Sequence, residues 1–519
     1  MFFSFLRSAM HRLALLALGA ALVPVALSTT AIAASPVLNP LVSDWQYLSS
    51  GLTPPSQAAC NAVGRRCFNP TAIHNSYNYA SLLAAGHEGQ GKTIAIVDSF
   101  GSDTIRNDLS VFSTAFGLPH LCGDSGPSTP AGNCAPGITP RFDILEVQGS
   151  PPATPPPPNN GTGEENHNLW ALEVSLDVEW AHATAPLANI LLVTTPTAET
   201  LGVQGFQQMM NAEQYVVDNH LADVITQSFG AGEGSFHNGL AALTNMRQAF
   251  IDAQANKITV FASSGDFGTA NIYKQPVKNP AVIPYPSVIW PASDPLVTGV
   301  GGTYLCTDAN TGTFVDTSSP PSNCQLQANP TSQREIGWIA GGGGYSILFP
   351  RPTFQNTLPP GSSYVGSSVG APGPNTNMRG VPDIAYQASS RTGVLVYMSL
   401  PIDNKTSGTG CGGANPCSIG WYVVGGTSSG SPQWAGLIAI ADQMAGRDLG
   451  YINTALYQIA NNPAQYASDY FDVTTGNNQA NPAIPGYDAT TGWDAVTGLG
   501  TPNVANLLPD LIAATPSGH

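Results

Sequence analysis

The segment KTIAIVDSFG, residues 92–101, decides the fold class of this chain. Its apolar, β-branched run ends in turn-forming residues, a pattern typical of a strand buried on both faces of a parallel sheet. The same pattern recurs in ANILLVTT, residues 188–195, ADVITQSFG, residues 222–230, and KITVFASSGD, residues 257–266. Because helix-like segments separate these strands, the sequence predicts an α/β fold with a doubly wound, mostly parallel sheet flanked by helices.

The size and composition favour one large globular domain. The chain has 519 residues, of which 42% are hydrophobic, and this is enough for a large core. Stretches rich in Pro, Gly, Ser and Asn, such as residues 150–166, cannot bury a core and are typical of surface loops.

The chain has few charged residues, and most of them are acidic. Only 10% of the residues are charged, Lys and Arg number 17, and the net charge is -16. This argues against a basic patch, so we expect no nucleic-acid partner. When carboxylates protonate at low pH, few positive charges remain to repel one another, which suits an acidic medium and equally an ordinary acidic secreted protein.

The N-terminus has the plan of a secretory signal peptide over residues 1–33. Arg7 and Arg12 precede an apolar run that ends in Ala31-Ile32-Ala33, which is the pattern of a cleaved leader. The alternative, an uncleaved membrane anchor, is less favoured because Pro24 interrupts the run. We therefore expect an extracellular protein with no stable membrane association after cleavage.

Eight cysteines fall into four pairs of near neighbours in the sequence. In an exported chain this indicates four local disulfides, although eight cysteines permit 105 connectivities. No Cys-x-x-Cys motif is present, so a zinc site or a redox-active cysteine pair is only weakly indicated. The cysteines lie at positions 60, 67, 122, 134, 306, 324, 411 and 417.

A serine protease turn is recognisable in GTSSGSPQWAG, residues 426–436, where Ser428 follows a Gly-Thr pair. A serine hydroxyl needs a neighbouring base before it becomes a nucleophile. A subtilisin-type histidine enzyme would supply that base from a HGTH segment, which this chain lacks. His167 and His182 lack the flanking glycine and threonine of that segment, so we interpret them as surface or packing residues.

Two carboxyl groups offer another base. Residues 169–183 are compatible with a helix that carries Glu173 and Asp177 four positions apart, and hence on one face. In a cleft, a proton shared between them would raise one pKa for acid-base work, whereas at the surface they would form a solvated acidic face. Asp266 follows the strand of residues 257–264, as a catalytic group or as an Asx-turn carboxylate. Asp98 is equally a turn cap or a supporting residue, and we leave it outside the catalytic set.

The Glu173 and Asp177 helix, the Asp266 turn and the Ser428 turn follow one another along the chain, and in this order they resemble the motifs of the sedolisins, the family of serine-carboxyl peptidases. The resemblance runs from residue 69 to residue 508 and implies a subtilisin-like fold with a single catalytic domain over residues 69–519. Only a short extension, residues 34–68, separates that domain from the signal, whereas many members carry a long pro-domain. The remaining matching motifs are QSFGAGE at 227–233, PASDPLVTGVGGT at 291–303, GGGGYS at 341–346, RGVPDIA at 379–385 and GWDAVTGLGTPN at 492–503.

The resemblance implies a role for each catalytic candidate. Ser428 is the nucleophile, Glu173 the general base, and Asp177 the residue that orients Glu173. Asp266 is a protonated acid that donates a hydrogen bond to the oxyanion. Because a carboxylate base works best near its own pKa and Asp266 donates only while protonated, we expect activity in acid that falls toward neutral pH.

The resemblance also implies how substrate is held. Ser228 and Gly230 belong to a segment that pairs with extended substrate backbone, which suits protein or peptide substrates. We expect the enzyme to act as a monomer. Specificity at the residue before the cleaved bond is not readable from the sequence.

One structural calcium ion is the last implied feature. The segments FDVTTG and TTGWD resemble the family's calcium-binding loops, and hard oxygen ligands suit calcium. Thr490 stands where relatives often have glycine, a change that a carbonyl ligand tolerates. The implied ligands are the carboxylates of Asp472 and Asp494 and the backbone carbonyls of Val473, Thr490 and Gly492.

Two rival functions remain at this point. The GDSG turn at Gly123 superficially suits a pepsin-like aspartic protease, but the chain has only one such turn and its strand-helix alternation does not suit an all-β enzyme. A secreted binding or scaffold protein that has kept the fold and lost the chemistry is the alternative from another class. Cleavage of an unfolded protein in acid would separate it from a peptidase.

Overall fold

The computed structural model describes most of the chain after the proposed signal. It covers residues 44–124, 134–135, 137–147, 167–197, 203–273, 281–325, 334–359, 362, 377–399 and 418–515. The signal and the Pro-rich segment 150–166 lie outside the described residues. All the described residues belong to one compact unit, residues 35–519.

The strands are short to medium in length and most are fully buried. They are β1 Trp45–Ser49, β2 Arg66–Phe68, β3 Thr93–Ser99, β4 Phe142–Glu146, β5 Asn189–Thr195, β6 Val224–Gln227, β7 Ala231–Gly232, β8 Thr259–Ser263, β9 Ile289–Trp290, β10 Thr298–Leu305, β11 Glu335–Gly337, β12 Gly344–Pro350, β13 Met378–Val381, β14 Ile384–Gln387, β15 Thr392–Met398, β16 Gly420–Val424, β17 Tyr470–Phe471 and β18 Thr501–Pro502.

The helices alternate with the strands along much of the chain. They are α1 Gln57–Ala62, α2 Pro70–Ser76, α3 Ala80–Ala84, α4 Ile105–Phe116, α5 His167–Thr184, α6 Val203–Asp218, α7 Leu240–Leu243, α8 Gln248–Ala255, α9 Ser322–Gln325, α10 Gly430–Ala445, α11 Asn453–Ala460, α12 Pro463–Asp469 and α13 Val504–Ala514.

The central sheet has the predicted parallel, doubly wound form. Its strands run in the order β11-β10-β8-β6-β3-β5-β4, and β14 also pairs with β10. Every neighbouring pair is parallel except β10 with β11. The four segments read as strands from the sequence become β3, β5, β6 and β8, which confirms the α/β prediction.

Strand β3 shows why these segments are apolar throughout. Ile94 and Ile96 face one hydrophobic core, which α5 and α10 cover. Ala95 and Val97 face a second core on the other side, which α6 and α8 cover. Because successive strand residues point to opposite faces, a strand with a core on each side has apolar residues at every position.

Helices α5 and α10 cross closely beneath the sheet. A Cβ atom on Gly436 of α10 would lie 2.8 Å from the Cβ of Thr184 on α5, a distance that real Cβ atoms do not reach. The glycine therefore permits the crossing. All described side chains of α5 from Leu169 onward are buried, so its carboxyl groups lie inside the protein.

A second sheet includes the segment that precedes the predicted domain boundary. Its order is β1-β16-β15-β2, with β1 antiparallel to β16 and β2 parallel to β15. The Arg66 side chain is 1% exposed and donates to the carbonyls of Thr307 and Pro320, at 2.9 and 2.7 Å. Residues 45–49 and 66–68 are thus an integral part of the folded unit.

Three of the four predicted disulfides are confirmed. Cys60–Cys67, Cys122–Cys134 and Cys306–Cys324 each close a short loop. The fourth predicted pair, Cys411 and Cys417, lies outside the described residues. Nearest-neighbour pairing is correct for every cysteine that the structure describes.

Candidate active site

Ser428 lies in a tight turn between a strand and a helix. β16 ends at Val424, a 3₁₀ turn spans Thr427–Ser429, and α10 begins at Gly430. Gly426 enters the turn with φ of 125°, a conformation that residues with a side chain rarely adopt. The turn holds Ser428 at the amino end of α10, where the helix dipole favours negative charge.

The carboxyl group of Asp266 is held beside the serine turn. Its Oδ1 accepts hydrogen bonds from the Thr427 backbone N–H at 2.8 Å and from the Thr427 hydroxyl at 2.9 Å. The same hydroxyl accepts the backbone N–H of Gly265 at 3.0 Å. The turn after β8 and the turn after β16 are thereby joined, although they are 161 residues apart in the sequence.

Thr427 is the residue of this site that sequence reasoning missed. Its only signal was its position next to Ser428. The structure gives it a bridging role, because its backbone and its hydroxyl both bind Asp266 while the hydroxyl also binds the residue before Asp266.

Glu173 and Asp177 lie on α5 and are fully buried. This burial excludes the solvated acidic face that their spacing alone allowed. Helix α5 packs against both α10 and the turn Thr427–Ser429. The fold therefore brings the carboxyl helix, the serine turn and the Asp266 turn into one region, at the carboxyl end of the central strands.

Asp177 has two polar neighbours from adjacent strands. Burial and the negative charge of Asp98 hold the pKa of Asp177 well above its usual range, and the nearby Ser228 hydroxyl partly offsets this. The register that pairs Val97 with Gln227 puts Asp98 and Ser228 side by side at the ends of β3 and β6. Asp98, left out of the predicted catalytic set, is thus a buried neighbour of that set.

A small pocket adjoins the segment predicted to bind substrate. It is lined by residues 230–232, Phe267, Asn271, Ile272 and Ile289. Gly230 comes two residues after Ser228, and β7 pairs with β9 so that Gly232 lies opposite Ile289. The pocket opens close to Asp266, because Phe267 is the next residue in the chain.

The residues predicted to bind calcium gather in one corner. Oδ1 and Oδ2 of Asp472 accept the backbone N–H of Gly492 at 3.2 and 3.0 Å, and Oδ2 of Asp494 accepts that of Thr490 at 2.9 Å. Burial raises the pKa of Asp494 to about 7, and the Asp472 carboxylate adds to this shift. Two neighbouring carboxylates in a partly buried corner fit the chemistry of a hard cation.

Backbone carbonyls are the remaining potential ligands in that corner. Within the described part of the chain, no backbone N–H donates to the carbonyl of Val473, Thr490 or Gly492, so these oxygens fit a role as calcium ligands. Among the same residues, no cluster of three or more His, Cys, Asp or Glu side chains is arranged to hold a metal. A cation here would therefore depend on main-chain oxygens.

No helix in the described ranges is both long and apolar enough to cross a bilayer.

Several known proteins are similar to this chain. Kumamolisin from Bacillus sp. (strain MN-32) is 28% identical over 466 residues, covering 88% of this chain and 66% of kumamolisin. Sedolisin from Pseudomonas sp. (strain 101) is 31% identical over 310 residues, covering 59% and 43%. Tripeptidyl-peptidase 1 from Homo sapiens is 26% identical over 363 residues, covering 67% and 53%. The chain thus spans about two thirds or less of the length of these relatives.

No protein-family model matches the chain. Among solved structures, Pseudomonas sedolisin, a serine-carboxyl proteinase in complex with two molecules of pseudo-iodotyrostatin, aligns with a TM-score of 0.58 at 25% identity. The alignment covers 86% of this chain and 99% of that chain. It confirms the predicted fold class, a subtilisin-like α/β fold with a large parallel sheet.

Proposed function

Because this chain belongs to the sedolisin family, we propose that it is a secreted, acid-active endopeptidase of the serine-carboxyl type. Its substrates are proteins and peptides. The observation that carries the proposal is the pair of hydrogen bonds from Thr427 to Asp266. These bonds hold the Asp266 carboxyl group beside Thr427, the residue that precedes Ser428.

In the proposed acylation step, Ser428 Oγ attacks the carbonyl carbon of the scissile peptide bond and Glu173 takes the hydroxyl proton. Negative charge collects on the carbonyl oxygen, to which protonated Asp266 and the Ser428 N–H donate hydrogen bonds. The C–N bond then breaks, and the leaving amine receives the proton held by Glu173. The product of this half-reaction is an acyl ester on Ser428.

Deacylation repeats the sequence with water. Glu173 takes a proton from the attacking water, the ester C–O bond breaks, and the proton returns to Ser428 Oγ. Asp177 is a positioning residue that orients Glu173 from the next turn of α5. The burial of Asp177 on the same face of α5 as Glu173 supports this role.

An acidic working range follows from the chemistry of the two carboxyl groups. A glutamate with a reference pKa of about 4.3 serves as a base best near that pH. Asp266 stabilises an oxyanion only while it carries a proton, since its ionised form repels negative charge. We therefore propose activity that is greatest in acid and falls as the pH approaches neutrality.

We also propose a single structural calcium ion. Asp472 and Asp494, with the carbonyls of Val473, Thr490 and Gly492, would hold it. When bound, the ion would neutralise the two carboxylates and stabilise the loops that carry them. The protein acts as a monomer outside the cell, and the local disulfides support an oxidising destination.

The test compares the purified protein with its Ser428→Ala variant on acid-unfolded casein from pH 2 to pH 8. Pepstatin in a parallel series controls for aspartic proteases. We expect cleavage in acid that pepstatin does not inhibit and that the variant loses. Equal cleavage by the variant would remove Ser428 from the mechanism, and a parent without activity would favour the inactive scaffold.

A further inference from the structure

We propose that Ile289 sets the depth of the pocket beside the active site and restricts it to a short aliphatic side chain of the substrate. The side chain concerned belongs to the residue whose carbonyl is attacked. This inference rests on the proposed function, and it names the substrate class that the function leaves open.

The position of Ile289 is the first argument. A Cβ atom added to Gly230 would lie 2.4 Å from Ile289 Cδ1, and one added to Gly265 would lie 3.3 Å from the same atom. The Ile289 side chain therefore reaches between two backbone segments, one that continues from Ser228 and one that leads into Asp266. It occupies space that a substrate side chain would otherwise enter.

The chemistry of the lining is the second argument. The described lining residues carry no charge. Asn271 is the one polar side chain among them, and its amide N–H₂ donates to the Ser287 carbonyl at 2.7 Å and to the Ser287 hydroxyl at 3.2 Å. Because burying an unpaired charge is costly, Asp, Glu, Lys and Arg fit this pocket poorly.

The location of the pocket fixes which substrate residue enters it. Asp266, the proposed oxyanion donor, is flanked by Gly265, which contacts Ile289, and by Phe267, which lines the pocket. A substrate whose attacked carbonyl points at Asp266 and whose backbone runs along residues 228–232 has the side chain of that residue directly over Ile289. The floor is rigid, since Ile289 is 2% exposed and belongs to β9.

The experiment uses quenched fluorescent peptides that differ only in the residue before the cleaved bond, with Ala, Val, Leu or Phe there. For the parent enzyme in acid we expect kcat/KM to be higher for Ala and Val than for Leu and Phe. The variant Ile289→Ala removes three carbon atoms from the floor, which is also the difference between a Leu and an Ala side chain. We expect its Leu-to-Ala ratio of kcat/KM to rise at least about 10-fold.

Ile283→Ala is the matched control. Ile283 is fully buried and packs against Gly232, but it does not line the pocket, so its Leu-to-Ala ratio should equal that of the parent. Circular dichroism and thermal unfolding check that each variant is folded. If Ile289→Ala does not fold, Ile289→Val removes one carbon atom and should shift the ratio in the same direction by a smaller factor.

The outcomes separate this inference from the proposed function. Cleavage that depends on Ser428, with an unchanged ratio in the Ile289 variants or with a parent that prefers Phe, overturns the role of Ile289 and leaves the peptidase standing. If the parent cleaves neither the peptides nor unfolded casein, the proposed function fails and this inference fails with it.

Discussion

Carboxyl groups lie at both ends of strands β3 and β6, but the groups that surround them differ between the two ends. At the carboxyl end, Asp177 lies among the carboxyl of Asp98 and a serine hydroxyl, and burial with like charge keeps its pKa well above the usual range. At the amino end, burial acts to raise the pKa of Asp448, but a hydrogen bond and the positive charge of Lys92 lower it overall.

The comparison shows how an ammonium group in direct contact changes the pKa of a carboxyl group in this fold. Asp448, which binds the Lys92 ammonium directly, keeps a lowered pKa and stays ionised. By contrast, burial raises the pKa of nearby Asp223 and Asp442 despite that charge. Asp177, whose buried neighbours are another carboxyl and a hydroxyl, holds its proton over a wider pH range. The carboxyl end of the sheet, where the proposed active site lies, is built in this last way, and the following predictions test that contrast.

The largest effect is expected from Glu173→Gln at the carboxyl end of the sheet. The amide keeps the size of the side chain but cannot accept the serine proton, so kcat should fall by about 10⁴-fold or more. The measurement is cleavage of unfolded casein at acidic pH. Glu213→Gln is the matched control, because Glu213 is another fully buried glutamate that lies on α6, outside the site. An equal loss in both variants would assign the effect to burial in general.

A smaller effect is expected from Asp266→Ala. Loss of one oxyanion donor lowers kcat by about 10²- to 10³-fold. Asp266→Asn should lose less, because an amide oxygen can accept the two bonds from Thr427 while its N–H₂ donates to the oxyanion. Its activity should also extend to higher pH than that of the parent, since an amide does not ionise. A pH profile identical to the parent's would contradict a protonated role for Asp266.

The third prediction concerns stability and Asp442, at the amino end. Burial raises its pKa from 3.8 to about 8, so the folded state holds a proton that the unfolded chain has released. The contribution of this proton to the free energy of unfolding is fully present below pH 3.8 and is lost as the pH rises to about 8. At about 1.4 kcal/mol per pKa unit, Asp442→Asn should lose less stability than the parent between pH 4 and pH 8, by on the order of 5 kcal/mol.

The measurement is urea unfolding at the two pH values, compared between parent and variant. Buried His74 and His182 act in the opposite direction, because their pKa values are lowered to about 4 and the unfolded chain binds protons that they do not. Their effect is the same in both proteins and cancels in the difference. Parallel pH dependence in parent and variant would show that Asp442 is ionised in the folded state.

The smallest effect is expected from Lys92→Met. The ammonium contacts Asp448 directly and lies 3.5 Å from Asp223, and a partly exposed pair of this kind is worth about 1 kcal/mol. We expect that loss of unfolding free energy at pH 7, a smaller loss at pH 4 where carboxyl groups begin to protonate, and no change in kcat. A large fall in kcat would mean that the two ends of the sheet are coupled.

The sequence determined the fold class and the identity of the catalytic candidates. Apolar strands and intervening helices are local patterns with a fixed period, so they predicted the parallel sheet without long-range information. The GTSSGS and SSGD turns marked strand ends for the same reason. Pairing of near cysteines was also local, and it held at all three described disulfides.

Only the tertiary structure decided which carboxyl groups are buried and what they meet. The four-residue spacing of Glu173 and Asp177 fits an exposed helix as well as a buried one, and burial of α5 settled the choice. The Thr427–Asp266 bridge, the electrostatic interaction of Asp98 with Asp177 and the packing of Ile289 against Gly230 and Gly265 join residues far apart in the chain. Such contacts depend on how strands and helices pack in three dimensions, which no local pattern records.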